Sequence, residues 1–71
     1  MVAQNLKAYI VDNGIKQRTI AAKAGLTEQI LSDILTGRRR LLADEFVNIC
    51  SALNKPPEYF ISSEEAANEK E

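Results

Sequence analysis

Apolar residues recur at Val2, Leu6, Tyr9 and Ile10, a spacing that lines one face of a helix. Gly14 follows Asn13 where a left-handed cap would end it, so a first helix is predicted over roughly 2–13. From Gln17 to Ala24 the chain is alanine-rich, with Ile20, Ala21 and Ala24 on one face, and Gly25 stops the run. Thr27 then offers a side-chain oxygen to the free N–H groups of a third helix, roughly 28–36, whose apolar face is Leu31, Ile34 and Leu35 and which ends at Gly37. Arg38 to Leu42 is too basic and too short to pack alone and reads as a turn. Phe46, Ile49, Cys50 and Leu53 predict a fourth helix, roughly 43–53. Pro56 cannot extend it, whereas Pro57 can open a new turn because its missing N–H is not needed there. A brief fifth helix carrying Tyr59, Phe60 and Ile61 follows. The expected fold is an all-α, compact five-helix bundle.

A chain of 71 residues, 45% hydrophobic and 27% charged, suits one ordinary globular domain with a modest core. Its longest apolar stretches, such as Tyr9-Ile10-Val11, fall far short of a membrane span or a signal-peptide core, and a cytoplasmic location is the resulting expectation. A single cysteine, Cys50, allows no internal disulfide, and it sits in the apolar stripe of the fourth helix as a core residue. With no histidine the usual zinc constellations are missing, and no Ser, Cys or Lys has an evident activating partner. No metal, cofactor, small-molecule ligand or enzymatic activity is expected.

The net charge of −1 is unevenly spread. Glu64, Glu65, Glu69 and Glu71 against Lys70 give residues 62–71 a charge of −3, which leaves +2 on residues 1–61. The chain therefore divides into a domain over 1–61 and an acidic tail over 62–71 that is expected to fray or stay solvated. In the domain the cations cluster as Lys16, Arg18 and Lys23 and as Arg38, Arg39 and Arg40. Scattered surface cations that only aid solubility would leave a similar composition.

Ile20, Ala21, Gly25, Leu26, Leu31 and Ile34, with Gly37 beyond, have the spacing of two helices crossed about a tight turn. Ala21 permits close approach and Gly25 supplies the turn's unusual backbone. The same spacing suits a plain antiparallel helix pair. Over about residues 5–61 the sequence resembles the phage repressor and Cro-like helix-turn-helix family of the xenobiotic-response-element type. The resemblance is carried by Leu6, Ile10, Gln17, Ile20-Ala21, Ala24-Gly25-Leu26, Leu31-Ser32, Ile34, Gly37 with basic residues after it, and Phe46, Ile49, Cys50 and Ala52-Leu53. It implies a lambda-repressor-like DNA-binding domain that binds an operator as a two-fold dimer and regulates transcription, with a phage, prophage, mobile-element or antitoxin-like setting. Lys16, Leu35 and Leu41 depart from the family's usual cap, glutamate and proline.

On an ideal third helix, Glu28, Gln29, Ser32 and Asp33 face away from Leu31 and Ile34, with Ile30 on the flank, and would meet the major groove. Gln29 can pair with adenine and is expected to be the main reader. Glu28 or Asp33 can accept from cytosine, and Ile30 can pack on a thymine methyl. Glu28 equally suits the helix dipole, and Asp33 a plain solvent charge. Expected phosphate contacts are Gln17, Arg18, Lys23, Thr27, Arg38, Arg39 and Arg40. Pro57, Tyr59, Phe60 and Ile61 form the expected homodimer interface, because their apolar surface exceeds what a one-turn helix buries on its own core. The alternative function is a protein-interaction module, such as an antirepressor or antitoxin component. Its basis is the acidic recognition face together with Ile30 and Leu35.

Overall fold

A computed structural model describes residues 2–61 of the protein. Four helices, α1 (Val2–Asp12), α2 (Gln17–Ala24), α3 (Glu28–Leu35) and α4 (Ala43–Leu53), are followed by a helical turn α5 over residues 57–61. The acidic tail expected over 62–71 lies outside the described residues. The periodic apolar positions converge as the sequence requires: Leu6 and Ile10 of α1, Ile20, Ala21 and Ala24 of α2, Leu31 and Leu35 of α3, and Ile49, Cys50 and Leu53 of α4 form one buried cluster. α2 packs on α3 and α4, and α1 on α3. Among the described residues every buried side chain is apolar, Cys50 included.

Phe60 of α5 belongs to this core. It is 2% exposed and ranks among the largest fully buried side chains, so it is not available to the expected interface of Pro57, Tyr59, Phe60 and Ile61. Its burial contributes about 2–3 kcal/mol. The rings of Tyr9 and Phe60 meet edge to face at 5.6 Å, and the Asn5 side-chain amide donates to the Phe60 carbonyl at 2.8 Å, so α5 is latched to α1.

The helices end by one device. After α2, the Leu26 N–H donates to the Ala21 carbonyl at 2.8 Å and the Gly25 N–H to the Ala22 carbonyl at 3.3 Å. The same crossed pair closes α1 at Gly14, α3 at Gly37 and α4 at Asn54. α3 is one residue shorter than its periodicity suggests, because Thr36 is its C-cap and turns its hydroxyl back onto the Ser32 carbonyl at 2.9 Å.

Candidate nucleic-acid interface

The geometry of the site begins at Gly25, whose φ of 76° lies in the left-handed region, so the chain reverses there and enters α3 after only two further residues. Ala21, 1% exposed, lets the helices approach closely, and half-buried Leu26 fills the inside of the turn. The Thr27 hydroxyl then accepts from the Ile30 N–H at 3.1 Å and fixes where α3 starts. Leu31, Ile34 and Leu35 are all buried, and this sets the rotation of α3.

The opposite face follows from that rotation. Glu28 and Gln29 are exposed, and Ile30, Ser32 and Asp33 are half-buried, so all five expected groove-facing residues keep accessible surface. Two of them touch: the Gln29 Nε2 donates to the Asp33 Oδ1 at 2.9 Å, one turn along the helix.

Of the expected phosphate contacts, Arg18 and Lys23 are exposed and Gln17 is half-buried. Lys16, the N-cap of α2, is extended and supplies no side-chain cap, so the leading N–H groups of α2 stand open beside Gln17 and Arg18. Thr27 is exposed, and its oxygen serves the α3 cap while its hydroxyl hydrogen remains available to donate.

The arginine run separates into two kinds. Arg38 and Arg40 are exposed, whereas the Arg39 guanidinium donates to the Glu45 carboxylate, whose other oxygen accepts from the Leu42 N–H at 3.1 Å. Arg39 is thus paired at the start of α4 while its side chain stays partly exposed, and among the described residues Arg38 and Arg40 show no such partner. The Arg39 hydrogen bond, followed by that from Leu42, holds the Glu45 carboxyl below its ordinary pKa despite some burial. Sequence reasoning passed over Glu45 because Leu42 cannot act as a side-chain cap. The signal was nonetheless present as a glutamate three residues after the N-cap.

The expected interface in α5 is divided as well. Phe60 faces inward, Tyr59 is 48% exposed, and Pro57 and Ile61 are half-buried. Lys55 places its ammonium 4.9 Å from the Tyr59 ring centroid. Ile61 joins Val2, Leu41, Leu42 and Phe46 in lining an apolar groove of about 580 Å³ between α1 and the 37–42 turn.

Among the described residues, no group of acidic, cysteine or histidine side chains is arranged to hold a metal, and no helix is long and apolar enough to cross a membrane. Compared with known proteins, residues 6–60 match the model of a family described as helix-turn-helix. No curated protein and no solved structure matches the chain at a significant level.

Proposed function

The chain belongs to the helix-turn-helix family of Cro and C1 type, a DNA-binding family, and from this premise we propose that it is a sequence-specific, repressor-like transcriptional regulator. The observation that carries the reading is the rotation of α3. Its core-facing side is fixed by Leu31, Ile34 and Leu35, so the side bearing Glu28, Gln29, Ile30, Ser32 and Asp33 is free to enter the major groove of an operator duplex.

In this reading Gln29 is the principal reader. It is exposed in the first turn of the helix, and its amide matches the N7 acceptor and N6 donor of adenine, a contact that discriminates by about 1–3 kcal/mol. Arg18, Lys23, Arg38 and Arg40 hold phosphates, with Gln17, Thr27 and the uncapped N-terminus of α2 fixing register. Two copies join through Tyr59, Pro57 and Ile61 and the adjoining apolar groove, which sets the two α3 helices about 34 Å apart on a near-palindromic site. The protein needs no cofactor or small-molecule ligand for this.

Enrichment of random duplexes on the purified protein tests the reading. A near-palindromic consensus is expected, and Gln29→Ala should erase the preference at one base pair per half-site while leaving Tm nearly unchanged, since an exposed helix position accepts alanine. Glu28 is the control. If it reads cytosine, Glu28→Gln shifts the preference at a neighbouring pair, whereas if it only opposes phosphate the same change tightens binding to every duplex. The exposed carboxylate of Glu28 on this face also favours a second reading, a protein partner in place of DNA. Absence of salt-sensitive retention on heparin or duplex DNA would select that one.

A further inference from the structure

We propose that Asp33 is a positioning residue that makes Gln29 select adenine over guanine, an inference that rests on the reading of α3 as the recognition helix. The Gln29 Nε2 donates to the Asp33 Oδ1 at 2.9 Å. Asp33 is well anchored for that task, because its backbone carbonyl accepts from the Arg38 N–H at 2.8 Å and the Arg39 N–H at 3.1 Å, and from the Thr36 hydroxyl at 3.3 Å. Its main chain is therefore pinned at the closing turn of α3, and its half-buried side chain reaches back along the helix toward exposed Gln29.

A carboxylate only accepts, so it fixes which way the amide faces. Turning the Gln29 oxygen toward Asp33 would bring two acceptors together, whereas the observed arrangement engages one N–H and leaves the other N–H and the oxygen for the base. One donor and one acceptor fit adenine, which presents N7 and the N6 amino group. Guanine presents N7 and O6, both acceptors, and would need both amide hydrogens. Asp33 already holds one of them, so the remaining oxygen would oppose O6. Without Asp33 the amide can rotate and offer both hydrogens, and guanine becomes acceptable. In this role Asp33 contacts no base itself.

The test uses the full chain with Asp33→Ala, Asp33→Asn, Gln29→Ala and the Asp33→Ala, Gln29→Ala double variant, measured against duplexes that vary one base pair at a time. Loss of the Asp33 charge should tighten the binding of the three Asp33 variants to every duplex alike, because phosphate repulsion falls. Beyond that, Asp33→Ala should lower the adenine-to-guanine ratio about fivefold or more at the pair where Gln29→Ala erases preference. Asp33→Asn can turn either an acceptor or a donor toward Gln29, so it should fix the amide only in part and lower the ratio by less than Asp33→Ala does. In the Gln29→Ala background, Asp33→Ala should change affinity only uniformly. In the free protein, the two Gln29 amide protons should move toward free-amide NMR shifts in Asp33→Ala, and Tm checks that the fold is intact. An unchanged ratio in Asp33→Ala overturns the proposal, as does a loss of preference at a neighbouring pair, which would mean that Asp33 reads cytosine. If Gln29→Ala leaves every preference intact, the recognition-helix reading fails first and the positioning role fails with it.

Discussion

Arg38, Arg39 and Arg40 carry the same charge in consecutive positions, yet their surroundings give them different work. Arg39 donates to Glu45, which also holds the Leu42 N–H, so the pair ties the basic turn to the first turn of α4. Arg39→Ala leaves the Glu45–Leu42 contact in place and removes a partly exposed ion pair, so it should cost up to about 1 kcal/mol and lower Tm by at most about 4–8 °C. Arg38→Ala and Arg40→Ala should stay within about 0.5 kcal/mol of the parent in stability. These two changes should instead weaken binding to all duplexes alike and flatten the salt dependence by about 0.9 per lost phosphate contact. Thermal melts and salt titrations of the three single variants separate the roles, whereas replacing all three at once would mix a lost ion pair with the proposed phosphate contacts. The pH dependence of the pair has a definite sign. Because Glu45's folded pKa lies below its ordinary value of 4.5, the pair's stabilisation is present above that value and is lost as pH falls through the folded pKa. Acid melts of the parent and Arg39→Ala should therefore converge only once pH has fallen below the folded pKa, which itself lies under 4.5. A stability difference that persists there would rule out the ion pair as its source. Cys50, by contrast, is 1% exposed, and burial followed by the charge of Glu58 pushes its thiol pKa up, which fits a packing residue and not a nucleophile.

At the scale of elements, the α2–α3 turn depends on one backbone conformation. Gly25 adopts φ 76° and a Cβ built there would meet nothing within 4 Å, so the penalty for a side chain is conformational and not steric. Gly25→Ala should then cost about 1–2 kcal/mol, while Gly25→Asn should cost less because asparagine tolerates the left-handed region. Asn54 serves the same purpose at the end of α4 with φ 60°. Equilibrium denaturation of the two Gly25 variants checks the order, and equal losses would point to packing as the cause. Thr27 governs the other side of the turn. Because its hydroxyl oxygen is the N-cap of α3, it sets where the helix starts, while buried Leu31, Ile34 and Leu35 set the angular position of Gln29 and Asp33.

For the whole molecule, the contrast between core and outer apolar surface bears on assembly. Phe60 completes the core, and the Tyr9 ring meets both Phe60 and Tyr59 edge to face, which holds Tyr59 in place while 48% of its surface remains open. Leu42, 49% exposed, and Ile61 line the apolar groove between α1 and the 37–42 turn. If this surface joins two copies, Tyr59→Asp with Ile61→Asp should shift sedimentation from dimer toward monomer and replace a two-half-site footprint by a single one. Phe60→Ala should act differently and unfold the protein by about 3–5 kcal/mol, because it removes a buried ring. A parent protein that sediments as a monomer and footprints one half-site on its selected operator would dismiss the dimer.

The sequence by itself determined the helices and the turn, because those depend on neighbours in the chain. Period-3.6 apolar spacing gave α2 and α4 their bounds, glycines gave three of the four crossed caps, and Thr27 gave the start of α3. Since burial of Leu31, Ile34 and Leu35 fixes the rotation of α3, the residues on its outer face could also be named from spacing alone. What remained for the tertiary structure was the choice of partner among side chains that look alike in sequence. Whether Arg39 or its neighbours meets Glu45 depends on how the 37–42 turn lies against α4. Phe60 and not Tyr59 enters the core because of the direction in which α5 crosses α1, held by Asn5 from 55 positions away. No periodicity encodes such a contact, since it arises only when distant elements are packed against each other.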